Sequence, residues 1–509
     1  MTITRVLDSF INSITMYRAV LYGLAGLAAY AIVFGFAGML PFSGAELLIS
    51  LAALLAVCAL TNALLSWIYR APTNVESSFI TAFILFFILP PFGAVADVLW
   101  LTLGGAVAVA SKYVIARNGK HIFNPAAFAA VVLGVIPAGG TVWWVGDSLM
   151  LPATLLVGLF IVRKIRRFPL FFACAAVAAA AVLAVGVSRG TQVSDIVPEY
   201  FVSWPIFFFA AIMVTEPLTT PPTRNLQILY GALIGFFSTW PIDVGMFHAS
   251  PEMALVLGNL AFYPFGMRRR ITLVLKEKIS LARDTYEFIF RPPQTIAFKP
   301  GQYLEWMLPH KDPDTRGVRR FFTIASSPTE ADIRLGMRFN PAAASSFKRT
   351  LFALTAGESL YAGQLAGDFT LPRNHSEKLV FLAGGIGITP FRSMLKYFLD
   401  RREKRDVVLF YGTRSAEDIA YGELLKSAEK ELGVKIIYLV IGDGELPAGV
   451  VGERGFLASD MVMRYVPDWR NRTFYLSGPN AMVDAYKKLL IGMGVLRSRI
   501  VTDYFPGYA

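Results

Sequence analysis

The hydrophobic pattern changes character at about residue 267. Before that point, apolar runs recur with only brief polar interruptions. After it, apolar and polar residues alternate in short blocks separated by Gly, Pro and charged turns. Ten apolar segments stand in the first part, near residues 16–39, 44–68, 77–93, 97–115, 123–138, 149–163, 169–188, 204–215, 226–242 and 251–267. A helix needs roughly 20 apolar residues to cross a bilayer. Several segments are shorter and are interrupted by Pro or polar residues, which predicts broken or re-entrant helices packed inside protein. From Ile271 the run ITLVLKEKISLARDTYEFIFRP alternates with period two, as half-buried strands do. Farther on, an apolar strand over Leu379–Ala383 feeds a Gly-rich turn and a helix starting at about Pro390, and a second strand follows over Val407–Tyr411. The expected architecture is multidomain. A polytopic α-helical membrane domain of about ten segments spans 1–267, a β-barrel spans 268–375 and an α/β domain spans 376–509.

Composition narrows the chemistry. The chain has 509 residues, of which only 17% are charged, so it is long enough for a membrane domain and two soluble ones. A net charge of +12 raises the question of nucleic acid, but in the first half the basic residues flank apolar spans, where they set orientation. The two cysteines, Cys58 and Cys174, lie inside apolar runs, which excludes a disulfide framework, a Cys-ligated cluster and a Cys-rich zinc site. No metal site is expected. Of four histidines only His121 and His248 fall in the membrane half, too few for two stacked pairs of haem ligands. The N-terminus has no short apolar region followed by a small-residue cleavage site, so the first segment is expected to be retained.

Charge also predicts orientation. If all ten segments cross and the N-terminus is cytoplasmic, Arg70, Lys112, Arg117, Lys120, Arg163, Lys164, Arg166, Arg167, Arg224 and Arg268 to Arg270 fall on the cytoplasmic side. The other side receives Glu46, Asp97, Asp147, Asp195, Glu199, Asp243 and Glu252, with Arg189 as its basic residue. This is the positive-inside pattern. It puts both termini in the cytoplasm, and the expected location is the cell inner (plasma) membrane. Five segments on either side of residue 140 would run in opposite senses, as in an inverted repeat. Each half holds a polar, Pro-bearing stretch, Lys120–Pro125 and Thr215–Thr223. Broken segments of such repeats meet at a central site, and an ionisable group at membrane depth is usually functional. Asn124, Glu216, Thr219 and Arg224 are the candidates. The plainer alternative is two cytoplasmic loops with turn chemistry.

These stretches carry a resemblance. SKYVIARNGKHIFNPAAFAAVVLG at 111–134 resembles the NIFNPA region of RnfD, a membrane component of the Rnf electron-transport complex. RnfD is in turn related to NqrB of the sodium-translocating NADH:quinone reductase. FFAAIMVTEPLTTPPTRNLQILYGALIG at 208–235 is similar to that family's ATDPVTSP segment, and SSFITAFILFFILPP at 77–91 to its early helix. The family carries a flavin linked to Thr in a Ser/Thr-Gly-Ala-Thr motif. No such motif stands here, and Thr154 reads as an ordinary helix residue. The resemblance therefore leaves a non-covalent FMN or riboflavin, or a quinone, in the membrane domain.

The soluble half carries a second resemblance. Arg320-Phe321-Phe322-Thr323-Ile324-Ala325-Ser326-Ser327 resembles the Arg-x-Tyr-Ser/Thr-Ile-Ala-Ser segment of the ferredoxin–NADP reductase family. That likeness implies FAD, with Arg320 on its pyrophosphate, Phe321 and Phe322 beside the flavin, and Thr323 as a catalytic hydroxyl at N5. Asn340 to Phe347 fits the phosphate-binding turn, with Ser345 and Ser346 as donors at a helix start. Gly367-Asp368-Phe369 matches the closing strand of the barrel. Gly384, Gly385, Gly387, Thr389 and Pro390 form the Gly-rich turn and helix start that would take the pyrophosphate of NADH or NADPH. Thr413 and Arg414 form a ribose-side loop, and Arg414 could meet a 2′-phosphate, although NADH users of the family often hold Arg there. Ser477-Gly478-Pro479 stands at the family's Cys-Gly-Pro turn, with Ser477 as the second catalytic candidate. The tail from Ile500 to Phe505, with Asp503 and Phe505, matches its acid-plus-aromatic ending.

Together the resemblances imply an FAD-binding barrel and a Rossmann-like NAD(P)-binding domain. Hydride would pass from NAD(P)H to flavin and electrons onward to a quinone, another small redox acceptor or a second flavin in the membrane domain. Membrane lipid and partner electron-transfer subunits are the expected partners. A different class of function also fits: a redox-coupled ion transporter whose FAD module drives or regulates the membrane half. A reductase merely anchored in lipid would need one or two helices, and ten is excessive for an anchor.

Overall fold

The computed structural model describes residues 14–70, 75–117, 120–136, 140–244, 247–266, 270–314, 317–442 and 450–503. Two compact units emerge, one ending at Arg270 and the other beginning at Ile271.

The first unit is helical. Among the described residues, four helices are long and apolar enough to cross a membrane: Met16–Phe36, Gly44–Ile68, Val95–Val114 and Phe168–Ser188. The number rises to five if the bent pair Val193–Phe201 and Ile206–Met213 counts as one span. The expectation of about ten crossing segments is corrected accordingly. The other apolar segments fold as shorter helices, Val75–Ile88, Pro125–Val135, Leu151–Ile165, Arg224–Phe237 and Pro251–Phe262. At a rise of ~1.5 Å per residue, helices of 11 to 15 residues fall short of a hydrocarbon core of ~30 Å.

Sequence chemistry sets the ends of these helices. Ser43 and Glu46 form a reciprocal capping box, and Asn124 accepts from the Ala127 N–H ahead of Pro125. Val75–Ile88 is polar in its first turn, at Glu76, Ser77 and Ser78, but buried on every side from Thr81 to Ile88, so its second half serves as a core helix. Its last carbonyls are satisfied from a later loop. The Trp144 indole donates to Phe86 O at 2.6 Å, and the Val142 N–H donates to Ile88 O at 2.9 Å. Helices Arg224–Phe237 and Phe168–Ser188 pack backbone to backbone through Gly231 and Gly235. A Cβ at Gly235 would lie 2.3 Å from Cys174 O, and one at Gly231 2.6 Å from Leu170 O.

The second unit contains two six-stranded sheets. The first comprises β1 (Ile271–Ala282), β2 (Thr285–Arg291), β3 (Tyr303–Met307), β4 (Arg319–Thr323), β5 (Ile333–Arg338) and β6 (Ser359–Ala366). It is antiparallel in the order β4-β3-β6-β1-β2-β5. The Ala325 N–H donates to Arg334 O at 2.8 Å, which draws the two edge strands together and curls the sheet towards closure. Gly367 lies beyond the end of β6 at φ +117°, so Gly367–Phe369 is the turn leaving the sheet and not its closing strand.

The second sheet is parallel: β7 (Leu379–Gly384), β8 (Val407–Thr413), β9 (Lys435–Val440), β10 (Gly452–Arg454), β11 (Thr473–Ser477) and β12 (Ile500–Thr502). Its order is β10-β9-β8-β7-β11-β12. The chain runs outward from β7 to β10, then returns to lay β11 on the other side of β7. The carboxyl ends of β7 and β11 therefore flank the point where the topology reverses, where α/β sheets bind ligands.

Candidate functional site

Two turns meet at that reversal. Gly384 ends β7, Gly385 turns at φ +52° and Gly387 leads into the helix Thr389–Arg401. A Cβ at Gly387 would stand 2.4 Å from Ser477 O, so only glycine lets the turn press this closely on the end of β11. Pro390 occupies the first turn of the helix, where its missing N–H costs nothing.

From the antiparallel sheet, Thr323 reaches the same place. Thr323 Oγ1 donates to Asp503 Oδ2 at 3.3 Å, and Ser477 Oγ donates to that oxygen at 3.0 Å. One carboxylate thus joins the end of β4, the end of β11 and the residue after β12. Burial of this carboxyl pushes it up to about 7, against which the hydroxyls of Ser477 and Thr323 act. The junction is held from behind. Arg392, buried on the helix Thr389–Arg401, donates to Ala325 O at 3.1 Å and pairs with both carboxylate oxygens of Glu330. Ser393 Oγ donates to Ser326 O at 2.6 Å.

A second cluster lies at the other end of β4. Arg320 Nη2 donates to both oxygens of Asp314, at 3.1 and 3.4 Å, and its guanidinium lies 5.4 Å from the Phe347 ring centroid. The Ser346 N–H, at the start of the helix Ser346–Ala353, donates to Asp314 Oδ2 at 3.1 Å. An arginine and a helix N-terminus therefore hold one carboxylate.

The other residues singled out in the sequence are placed as follows. Ser345 caps its helix by accepting from the Lys348 N–H, so its hydroxyl does structural work. Phe321 packs against Tyr303 and Phe322 against Phe347. Thr413 is buried within β8 and donates to Ser415 O, whereas Arg414 is exposed just beyond the strand. Gly478 and Pro479 follow Ser477 directly, and a Cβ at Gly478 would meet Met482 and Gly384. Phe505 lies outside the described residues. Asp314 and Arg392 escaped sequence reading because neither belongs to a motif.

In the helical unit the two polar stretches meet across 95 positions of sequence. His121 Nε2 lies 2.9 Å from Glu216 Oε1, and Asn124 Nδ2 donates to Met213 O at 3.3 Å. Thr219 Oγ1 lies 3.4 Å from Glu216 Oε2. Arg224 stands exposed at the first position of the helix Arg224–Phe237. Asn124 and Glu216 line a cavity of roughly 630 Å³, its mouth included, with Ser77, Thr81 and Thr215 and an otherwise largely aliphatic wall.

Comparison with known proteins bears on the second unit. The family described as "Oxidoreductase NAD-binding domain" matches residues 381–488. An aromatic O-demethylase reductase subunit from Amycolatopsis is 30% identical over 222 residues, which cover 43% of this chain and 64% of that protein. A glycine betaine monooxygenase reductase subunit from Pseudomonas aeruginosa is 29% identical over 222 residues, covering 43% and 60%. The chain thus spans 64% and 60% of the lengths of these curated relatives. The crystal structure of an Amycolatopsis cytochrome P450 reductase aligns with a TM-score of 0.41 and 27% identity over 47% of this chain and 70% of that one. The C-terminal half of the chain is thus similar to reductase subunits and matches the oxidoreductase NAD-binding domain family over residues 381–488.

Proposed function

We propose that the chain is a membrane-bound flavoprotein oxidoreductase. It passes electrons from NAD(P)H through FAD to an acceptor, a quinone or a second flavin, held by its membrane unit. The observation that carries the reading is the meeting of Thr323, Ser477 and Asp503, because it brings the flavin-side strand and the nicotinamide-side turn to one carboxyl group. Bound FAD supplies the conversion of two-electron to one-electron chemistry.

The protein supplies position and charge. Arg320 and the helix starting at Ser346 neutralise the flavin diphosphate. The turn Gly384–Gly387 and the helix start at Thr389 and Pro390 take the diphosphate of NAD(P)H. Asp503 fixes the rotamers of both hydroxyls, and at about 7 its Oδ2 holds or releases a proton near neutral pH. The exposed Arg414 is the candidate for contact with the adenosine ribose. Other proteins of this kind are reductase subunits of oxygenase systems, so electron-transfer partners are a natural extension for this chain as well. The RnfD resemblance, an inverted repeat and an inner-membrane location with cytoplasmic termini belong to the same reading. They rest on the sequence alone; the four apolar helices support membrane attachment.

Flavin content per chain in detergent-purified protein tests this. One FAD per chain, reduced by NADH or NADPH, is the expected result. Absence of FAD would overturn the reading. FMN or riboflavin in addition would identify the acceptor as a second flavin.

A further inference from the structure

The cavity of the helical unit has the build of a site that moves protons. Its wall is largely aliphatic, contributed by residues such as Val20, Ile80, Ile161 and Ile212, and polar groups are few. Of these, Thr81 and Thr215 spend their hydroxyls on the carbonyls of Ser77 and Ala211. Asn124 is spent capping its helix and bonding Met213 O. Glu216 is the ionisable carboxylate of the lining, and His121 stands 2.9 Å behind it with only 9% of its side chain exposed. Lys112 Nζ, from the helix Val95–Val114, donates to Ser77 O and Oγ at 2.9 and 3.0 Å, and Ser77 lines the same cavity. Lys112 and Tyr230 both interact electrostatically with Glu216, and Tyr17 lines the wall. An acid–imidazole pair at the edge of an aliphatic cavity, with a cation close by, can hand over a proton without exposing a net charge to the apolar wall.

We propose that this cavity takes the head group of a quinone and that the Glu216–His121 pair protonates it on reduction. The inference rests on the proposed NAD(P)H-to-FAD reading and goes beyond it by naming the ligand class and the acid. A neutral head group suits a wall whose charged member is a carboxylate, whereas the phosphate of FMN would sit against Glu216. Reduction of the quinone takes two electrons, supplied by one NAD(P)H, and two protons. The pair breaks its O–H or N–H bond as an O–H bond forms on a quinone oxygen. It recovers a proton from water after each of the two transfers, while the hydrogen that NAD(P)H delivered to the flavin returns to solvent as one proton. NAD(P)H and one proton are consumed, and quinol and NAD(P)⁺ leave.

The experiment uses the full-length, FAD-loaded chain in liposomes with a short-chain benzoquinone. Quinone reduction is expressed relative to ferricyanide reduction by the same sample, because ferricyanide takes electrons without protons. Glu216→Gln is expected to lower the relative quinone rate by roughly 10²-fold and to flatten its pH profile. Equilibrium dialysis should still detect bound quinone. Glu216→Asp, which keeps the acid, should restore the pH dependence. Infrared difference spectra on reduction should show a carboxyl band in wild type that Glu216→Gln lacks.

A Glu216→Gln protein with the wild-type relative rate and pH profile would overturn the proposal. So would wild type that reduces ferricyanide but binds no quinone, or a flavin found in the membrane unit. Should Glu216→Gln fail to accumulate, His121→Asn carries the same expectation and the same refutation. Failure of ferricyanide reduction by FAD-loaded wild type would instead overturn the proposed reductase function.

Discussion

Replacing Asp503 with Asn tests the junction most directly. The carboxyl sits at about 7 in the folded protein, against an ordinary value of 3.8. Between those values the folded protein holds a proton there that the unfolded chain has released. Folding therefore takes up a proton, and stability falls as pH rises through this window. The fall is complete once pH passes about 7. A difference of about three units corresponds to a ceiling of about 4 kcal/mol. The residue as a whole is only half-buried, so solvent screening reduces the effect to the order of 1–2 kcal/mol. An Asn side chain still accepts from Ser477 and Thr323 through Oδ1 but carries no charge to bury. Asp503→Asn should match wild type below about pH 3.8, gain on it progressively as pH rises, and exceed its stability by on the order of 1–2 kcal/mol at about pH 8. Urea unfolding of the full-length protein, followed by flavin emission at each pH, measures this. A stability gap that does not change with pH, or that favours wild type at high pH, would refute the account of Asp503 as a buried acid.

Other substitutions probe the remaining parts. Glu330→Gln leaves the buried Arg392 without its carboxylate and should cost about 3 kcal/mol in urea unfolding, with early loss of FAD. Arg320→Ala removes the forked donor that holds Asp314, and FAD titration of the apoprotein should show affinity weakened by roughly 10²-fold. Gly387→Ala drives a methyl group into Ser477 O. It should cost ~1–3 kcal/mol and raise KM for NAD(P)H while FAD content holds, as steady-state kinetics would report. Gly235→Leu should force the helices Arg224–Phe237 and Phe168–Ser188 apart and lower thermal stability in detergent, with no change in FAD bound per chain.

Much of this protein is legible in its sequence because the relevant physics is local. The change from apolar runs to period-two alternation marks the boundary between units, since burial in lipid and burial on one face of a sheet demand different patterns. The turn at 384–387 with Pro390 reads as a strand-to-helix turn, and the chain folds it so. Helix starts at Ser43 and Asn124 follow from their capping chemistry. Length against bilayer thickness was equally readable, yet ten apolar segments gave four helices of spanning length, because hydropathy does not distinguish lipid from protein as the apolar surround. Val75–Ile88 makes the point: its composition suits lipid, but its surroundings are other helices.

Tertiary structure alone decided the long-range pairings. Asp503 meets Thr323 across 180 positions and Ser477 across 26, His121 meets Glu216 across 95, and Asp314 reaches the helix at Ser346 across 32. No local propensity encodes such distances. They follow from strand order in the two sheets and from how short helices pack. The same packing set the carboxyl of Asp503 near neutrality, because how strongly an acid holds its proton depends on the solvent and partners the fold leaves it.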